Sequence, residues 1–261
     1  MILKSPGDVA FSILGFKIYF YGVVLAIAIL AGIYTAYYLY KTFCDKEKAP
    51  RFFDFSPLVI ILGIIGARLY YCFVNFHYYM FEPFQIVDFR QGGLSVHGML
   101  IFGLLALWYS ASYYKMNVLN VFDSFMCGTA LAQSIGRWGN FFNSEAFGLP
   151  YNGLLKLYIP LANRPAEFAN VSYFHPTFLY ESVLDFVVFL VLILLFKKCS
   201  KNPGFITCLY LILYSLVRIY TESLRIDSVL NIHGIPVAQI MSVILIFIAF
   251  VCMPFTLKHS K

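Results

Sequence analysis

The stretch "IPVAQIMSVILIFIAFVCMPFT", residues 235–256, contains no charged residue over 22 positions. A helix that crosses a membrane needs about 20 consecutive, mostly apolar residues, so this stretch predicts a membrane-spanning helix. The chain holds seven such candidate spans, at residues 18–40, 55–75, 97–114, 118–137, 177–196, 204–222 and 235–256. Their apolar runs are continuous and do not alternate as the strands of a membrane barrel do. We therefore predict an all-α integral membrane protein.

The composition of the whole chain supports this prediction. Hydrophobic residues make up 61% of the chain and charged residues only 12%, whereas about a quarter of a typical soluble domain is charged. Too few polar side chains remain to cover a surface that faces water all round. We predict a single polytopic membrane domain over residues 1–261. The candidate span at 118–137 is the least apolar, so we expect it to face protein or a wet cavity rather than lipid.

Lysine and arginine in the connecting segments predict the orientation, because cytoplasmic loops carry an excess of them. With seven spans, one side receives Lys41, Lys46, Lys48, Arg51, Lys115, Lys197, Lys198, Lys201, Lys258 and Lys261. The opposite side receives fewer over longer segments, namely Lys4, Lys17, Arg90, Arg137, Lys156, Arg164 and Arg225. We predict a cytoplasmic C-terminus, an extracytoplasmic N-terminus and an extracytoplasmic segment at 138–176. The net charge of +6 is explained by these loops, and no basic cluster with interleaved aromatics predicts a nucleic-acid partner.

Several arginines lie near the predicted outer ends of spans, where a charge is costly without a partner. Arg68 lies in "GARLYY", and "RIYTESLR" places Arg218, Glu222 and Arg225 at i, i+4 and i+7 of one helical face. An ion ladder that tethers a helix end is one interpretation. The other is a phosphate site, because guanidinium groups match phosphate oxygens in a planar, bidentate way and Glu222 would orient them.

A second polar group is found in "GRWGNFFNSEAFGLP", residues 136–150. Arg137, Asn140 and Asn143 follow one another at intervals of three, so a helical turn would bring them together, and Glu145 comes directly after them. Polar groups buried beside lipid are costly unless each finds a partner. A helix cap would use one or two of them, so four within nine residues favour a binding or catalytic site.

Two further residues stand at predicted outer ends of spans. His97 is at the outer start of the third candidate span, where it is either an interfacial hydrogen-bonding residue or a proton acceptor. Tyr21 is at the outer end of the first candidate span, and taken alone it is interpreted as part of the aromatic belt of the membrane interface.

The stretch "GRWGNFFNSEAFG" resembles the signature of the bacterial prolipoprotein diacylglyceryl transferase family, G-R-x-G-N-F-x-N-x-E-x-x-G, at every fixed position up to Gly148. Other stretches follow in the order of that family, so the resemblance covers nearly the whole chain: "YG" at 21–22, "GARLYY", "GGLSVHG" with His97, "HPTFLYE" at 175–181 and "RIYTESLR". Two positions depart from the usual pattern of the family, Met99 in place of a glycine and Phe178 in place of a glutamine.

The resemblance implies an enzyme that transfers the diacylglyceryl group of phosphatidylglycerol to the lipobox cysteine of a prolipoprotein in the bacterial plasma membrane. A thioether forms and glycerol phosphate leaves, and neither a metal nor an organic cofactor is implied. On this basis we assign phosphate binding to Arg137 and Arg218 and proton acceptance to His97. Tyr21 is the next candidate for a part in the reaction, as a hydrogen-bond donor. The proposed substrate-binding residues are Arg68, Asn140, Asn143, Glu145, Gly148, Glu222 and Arg225, of which Gly148 would allow a tight turn.

Two other classes of protein fit some of the same features. Intramembrane charges also occur in solute transporters, although here they gather at one face and no repeated half is visible in the sequence. A phospholipid-binding protein without turnover would use the same arginines and release no product.

Overall fold

The structure is a computed structural model that describes residues 1–13, 15–88, 92–226, 231–232 and 235–258. Its long helices are α1 (Phe20–Phe43), α2 (Arg51–Val74), α4 (Val96–Tyr113), α5 (Val118–Asn143), α6 (Thr177–Cys199), α7 (Phe205–Leu224) and α8 (Val237–Lys258), with a short α3 (Phe76–Phe81) after α2. Short strands lie between them: β1 (Ile2–Lys4), β2 (Val9–Ile13), β3 (Phe16–Tyr19), β4 (Lys156–Tyr158), β5 (Tyr173–Phe174), β6 (Asn231–Ile232) and β7 (Ile235–Pro236).

The prediction of a mostly helical membrane protein is confirmed. Within the described ranges, six helices are long and apolar enough to cross a membrane, namely α1, α2, α4, α6, α7 and α8. The fourth predicted span corresponds to α5, which falls short of that apolarity because it carries polar residues along its length. The helix also continues six residues beyond the predicted end at 137 and finishes at Asn143. Of the basic residues used to predict the orientation, Arg90 and Lys261 lie outside the described residues.

The chain divides into two compact units, residues 1–36 with 123–261, and residues 37–122. In the first unit, α1 and α5 approach closely at two glycines. A Cβ atom on Gly32 would lie 2.9 Å from the carbonyl oxygen of Gly128 and 3.2 Å from the Cβ atom of Ala132. Small residues of this kind let helix backbones come together in membranes.

Helices α5 and α6 are joined by a reciprocal pair of hydrogen bonds. The hydroxyl of Ser134 donates to the carbonyl oxygen of Ser182 at 2.8 Å, and the hydroxyl of Ser182 donates to the carbonyl oxygen of Ser134 at 2.8 Å. Both serines are buried. Since a polar group in hydrocarbon needs a partner, this pair fixes the two helices side by side just before Arg137.

Asp123, near the start of α5, caps the first turn of α7. Its carboxylate accepts hydrogen bonds from the backbone N–H of Gly204 at 2.8 Å, from that of Thr207 at 2.7 Å and from the Thr207 hydroxyl at 2.6 Å. The first N–H groups of a helix have no partner within the helix. A buried carboxylate supplied by another helix therefore satisfies them and ties α7 to α5.

The strands of the first unit form small sheets outside the long helices. Strand β4 pairs parallel with β1 and antiparallel with β5, while β2 and β3 form a hairpin. The segment from 144 to 176 contributes β4 and β5, and it packs through a buried apolar cluster of Phe147, Leu157, Ile159, Phe174 and Phe178. Phe178, a departure from the family pattern, thus belongs to this core.

The second unit is built on the pairing of α2 with α4. The two helices cross where Gly98 lies against the carbonyl oxygen of Gly66, with no space for a Cβ atom on Gly98. Helix α3 and a 3-10 turn at Pro83–Val87 follow α2. Met99 is the other departure from the family pattern. A Cβ atom on Gly63 would lie 3.5 Å from its side chain.

Candidate active site

The first unit contains a chain of ion pairs that crosses three helices. Arg137 on α5 and Arg218 on α7 both bind Oε1 of Glu181 on α6, at 2.5 Å and 2.9 Å. Arg218 also pairs with Glu222 one turn further along α7, at 2.8 Å. Glu181 is only 1% exposed, whereas each arginine retains nearly a fifth of its side-chain exposure. The Glu181 carboxylate is therefore the buried part of the site, and the two guanidinium groups are its more accessible part.

The arginines of this chain are not saturated with protein partners. Arg137 contacts Glu181 through Nη2, and its Nε and Nη1 atoms make no hydrogen bond within the described residues. Arg218 uses Nη1 and Nη2, and its Nε atom is likewise without a hydrogen bond there. Uncommitted N–H groups on two guanidiniums held by one carboxylate can bind the oxygen atoms of an anion.

A third buried carboxyl group stands next to this chain. Asp185 lies one helical turn beyond Glu181 on α6 and is also 1% exposed. Its Oδ2 atom makes no hydrogen bond within the described part of the chain. Unlike Glu181, it has no arginine or lysine nitrogen within ion-pair distance among those residues, so it offers a matched comparison for the shared carboxylate.

The end of α5 brings Asn140 and Asn143 of the motif together at Glu145, whereas Arg137 pairs with Glu181 on α6. Glu145 accepts hydrogen bonds from the side-chain amides of Asn140 at 2.9 Å and Asn143 at 3.3 Å. The backbone turns back here because Ser144 and Ala146, on either side of Glu145, both have a φ of 54°. This left-handed conformation is unfavourable for residues other than glycine, and it points the Glu145 carboxylate back over the last turn of α5.

Gly148 links this turn to the beginning of α6 and the end of α7. Its N–H donates to the carbonyl oxygen of His175 at 3.0 Å, and it forms an isolated β-bridge with Arg225. A Cβ atom at this position would lie 2.6 Å from the carbonyl oxygen of Leu224 and 2.8 Å from a side-chain carbon of Thr177. Gly148 is therefore required for a close approach of three segments, which is a stronger constraint than the tight turn that the sequence predicts.

His175 contacts two tyrosines at the same junction. Its ring stacks on Tyr151 at 3.9 Å between centroids, and its Nδ1 atom lies 3.3 Å from the Tyr180 hydroxyl. Partial burial lowers the pKa of the His175 imidazole, so the neutral form is favoured.

Tyr21 borders two cavities of the first unit. The first, which we call the polar cavity, has a volume of about 820 Å³ and is lined by Tyr21, Asp8, Asn143, Glu145 and Asn163 among others. The second, which we call the α1–α5 cavity, has a volume of about 320 Å³ and includes Tyr21, Arg137 and Asn140. The Tyr21 ring packs where Gly139 leaves space, because a Cβ atom there would lie 2.7 Å from the ring. Tyr21 is thus held at the boundary between the two cavities.

Two arginines of the predicted site, Arg225 and Arg68, do not have the environment that the sequence analysis predicts. Helix α7 ends at Leu224, so Arg225 lies in extended backbone and does not continue the helical face of Arg218 and Glu222. Arg68, in the second unit, is buried and donates to the carbonyl oxygens of Gln85, Ile86, Asp88, Gly92 and Gly93. These bonds use all five of its N–H groups, so Arg68 holds this segment together and has no donor left for a phosphate.

His97 lies in the first turn of α4, in the second unit. Its ring stacks against that of Tyr70 with 6.0 Å between centroids, and the side chain is exposed. Within the described residues, no group of three or more His, Cys, Asp or Glu side chains is arranged to hold a metal ion.

The residue that the sequence analysis missed is Glu181. The signal is present in "HPTFLYE", where a carboxylate stands one turn inside an apolar span. A charge at that depth is rare and needs a partner, and Arg137, at the end of another span, lacked an assigned carboxylate.

The comparisons with known proteins identify the family of this chain. Residues 8–255 match the family model described as prolipoprotein diacylglyceryl transferase. The chain belongs to this family. The predicted family is therefore confirmed, and with it the class of enzyme, a transferase.

Relatives in this family cover almost the whole chain. A phosphatidylglycerol–prolipoprotein diacylglyceryl transferase of Parasynechococcus marenigrum is 39% identical over an alignment of 257 residues, and the match covers 94% of this chain and 91% of the relative. A protein of the same name from Synechocystis sp. is 41% identical over 251 residues, covering 94% and 87%. A third, from a Synechococcus species, is 40% identical and covers 92% and 90%.

Proposed function

We propose that this protein is a phosphatidylglycerol–prolipoprotein diacylglyceryl transferase of the bacterial plasma membrane. It would transfer the diacylglyceryl group of phosphatidylglycerol to the lipobox cysteine of a prolipoprotein, which forms a thioether and releases glycerol phosphate. The names of its relatives support the two substrates. The apolar helices support a multi-pass membrane location.

The observation that carries this proposal is the contrast between the arginines. All five donors of Arg68 are bound to backbone carbonyl oxygens, whereas Arg137 and Arg218 keep N–H groups that bind no described residue. Two such guanidiniums fixed by one buried carboxylate suit the phosphate of an anionic lipid. Glu222 holds Arg218 from the other side and so helps to orient it.

The chemistry explains why charge is needed at this point. In the reaction the cysteine sulfur attacks the glycerol carbon that carries the phosphate, a carbon–sulfur bond forms, and the carbon–oxygen bond to phosphate breaks. The bonding electrons stay on the leaving phosphate, which becomes a monoester with more negative charge. Arg137 and Arg218 would stabilise that charge more strongly in the transition state than in the bound lipid, which is what accelerates a reaction.

A group that takes the thiol proton completes the mechanism. A cysteine with an ordinary pKa near 8.5 is mostly a thiol at neutral pH, and only the thiolate is a good nucleophile. We propose His97 as the acceptor, since an imidazole nitrogen is the commonest general base in enzymes. Tyr21, at the boundary of the two cavities, would take a different part and donate a hydrogen bond to the substrate.

The polar cavity is proposed to receive the glycerol head of the lipid. Glu145 presents one carboxylate oxygen to Asn140 and Asn143 and lines this cavity. A carboxylate and amides can bind the hydroxyl groups of glycerol through hydrogen bonds. Gly148 would keep this arrangement in place by joining the turn after α5 to α6 and α7.

We further propose seven spans in a single polytopic domain, with α5 as the fourth. Buried polar residues on α5 would face protein and the cavities rather than lipid. The N-terminus and the segment after α5 would be extracytoplasmic and the C-terminus cytoplasmic, because this arrangement puts the basic loops inside.

A mass spectrum of the reaction products tests the proposal. The purified protein is incubated with phosphatidylglycerol and a peptide that carries a lipobox cysteine, and a Cys→Ser peptide serves as the control. We expect one diacylglyceryl mass on the cysteine peptide alone, together with free glycerol phosphate. A folded protein that binds the lipid and forms no product would indicate a binding protein, and a solute flux that depends on Arg137 would indicate a transporter.

A further inference from the structure

The α1–α5 cavity contains a polar group that the proposed mechanism does not use. The cavity is lined by apolar and small side chains such as Leu25, Ala28 and Ala132, and by Arg137 at one end. Gln133 also lines it, one helical turn before Arg137 on α5. An amide in such surroundings needs a hydrogen-bond partner for each of its ends.

The two ends of the Gln133 amide are in different situations. The hydroxyl of Tyr210, a buried residue of α7, donates to Oε1 of Gln133 at 2.9 Å. This bond fixes the orientation of the amide. The Nε2 group makes no hydrogen bond within the described residues. A donor that is oriented from behind and unpaired at the wall of a cavity is placed to bind a ligand.

The other polar side chains of this wall are already engaged. The Thr129 hydroxyl donates to the carbonyl oxygen of Phe125 in its own helix at 2.8 Å. The Asn140 amide donates one of its two N–H groups to Glu145 at 2.9 Å. Of the two amide side chains on the α5 wall, Gln133 is therefore the one whose nitrogen makes no hydrogen bond within the described residues.

The depth of Gln133 indicates which part of a lipid it would meet. Four residues along a helix correspond to roughly 6 Å, so Gln133 lies about that far from Arg137 along α5, on the side away from the polar end of the helix. In a phospholipid whose phosphate is at the level of Arg137, the glycerol carbons lead from the phosphate to the acyl ester groups, which lie deeper in the bilayer. An ester carbonyl oxygen is a hydrogen-bond acceptor and has no donor of its own.

We infer that Nε2 of Gln133 donates a hydrogen bond to an acyl ester carbonyl oxygen of the lipid substrate, and that Tyr210 is the positioning residue that holds the amide for this contact. The inference rests on the proposed function, because it places the phosphate of that lipid on Arg137. It makes Gln133 a specificity-determining residue that distinguishes ester-linked from ether-linked donor lipids.

The test compares two phosphatidylglycerols that differ only in the chain linkage. One has ester-linked chains, and the other has ether links of the same chain length, which removes the carbonyl oxygens and keeps the phosphate. For the wild-type protein we expect kcat/KM for transfer to the lipobox peptide to be about tenfold higher with the ester lipid, the effect of leaving one desolvated donor without its acceptor. In Gln133→Met, which preserves length and removes the donor, we expect the ratio to fall to nearly one.

Two further variants separate this role from a structural one. Tyr210→Phe releases the amide, so we expect an intermediate ratio. Thr129→Val changes another residue of the same wall whose hydroxyl is already bonded, so we expect the wild-type ratio. If wild type uses both lipids equally, or if Gln133→Met and Tyr210→Phe keep the wild-type preference, the inference is overturned. Absence of product from the wild type with either lipid would instead contradict the proposed function.

Discussion

Replacing Glu181 by Gln tests the structural basis of the site most directly. The substitution preserves the shape of the side chain and removes the charge that Arg137 and Arg218 share. Two guanidiniums that now bind one oxygen atom, at 2.5 Å and 2.9 Å, would then repel each other without a carboxylate between them. We expect both a less stable protein and a much slower enzyme.

The magnitude follows from the burial of the carboxylate. Two opposite charges about 4 Å apart attract by about 4 kcal/mol at an effective dielectric constant near 20. Two such attractions are lost, but the glutamine is cheaper to bury, so the net cost is smaller than their sum. Removing one partner of a buried ion pair costs about 3–5 kcal/mol. If between half and all of this cost appears in the transition state, kcat/KM falls by roughly 10- to 4,000-fold, at about 1.4 kcal/mol per factor of ten.

The assay combines kcat/KM for peptide modification with the thermal unfolding midpoint of the protein in the same detergent. Asp185→Asn is the matched control, because it neutralises another carboxyl group of α6 that is equally buried and has no arginine at ion-pair distance in the described residues. We expect it to change both quantities much less. Equal effects of the two substitutions, or a Glu181→Gln protein with wild-type turnover, would refute the reasoning.

Four other predictions can be tested by substitution. Arg137→Ala should abolish turnover of a folded protein and Arg137→Lys should restore only part of it, because an ammonium group lacks the planar fork; near-normal activity of the alanine variant would contradict phosphate binding. His97→Gln should lower kcat by about 100-fold or more with lipid binding retained, and an equal loss of binding would make it a positioning residue. Gly148→Ala should cost about 1–3 kcal/mol of stability, since its Cβ atom would lie 2.6 Å from a carbonyl oxygen; Gly136→Ala, with no atom within 4 Å, is the control. Asp123→Ala should lower the unfolding midpoint by the loss of an acceptor for three hydrogen bonds, a cost of about 2–4 kcal/mol, and an unchanged midpoint would rule out capping of α7.

The sequence predicts much of the fold because the length of an apolar run depends only on residues that are adjacent in the chain. The spans required only a count of apolar residues, and the motif at the end of α5 required only the helical spacing of Arg137, Asn140 and Asn143. The helix runs six residues past its predicted end because these polar residues remain helical outside the apolar stretch, where length and hydropathy give no signal.

The contacts between helices could not be predicted in the same way. Glu181 stands 44 residues from Arg137 and 37 from Arg218, so nothing local assigns it to either of them. Arg68 is also an arginine near the end of an apolar helix, yet its donors bind backbone carbonyl oxygens of residues 85, 86, 88, 92 and 93. Whether the donors of an arginine are taken up by the protein depends on the path of the surrounding chain.

The reciprocal hydrogen bonds between Ser134 and Ser182 fix the register of α5 against α6. Ser134 precedes Arg137 by three residues, and Ser182 follows Glu181 directly. A slip of one helical turn would separate the guanidinium from its carboxylate by about 5 Å, and it would first have to break two hydrogen bonds in an apolar environment. If the bilayer becomes thinner or thicker, we therefore expect α5 and α6 to tilt together as one rigid pair. The ion pair between Arg137 and Glu181 would keep its geometry in bilayers of different thickness.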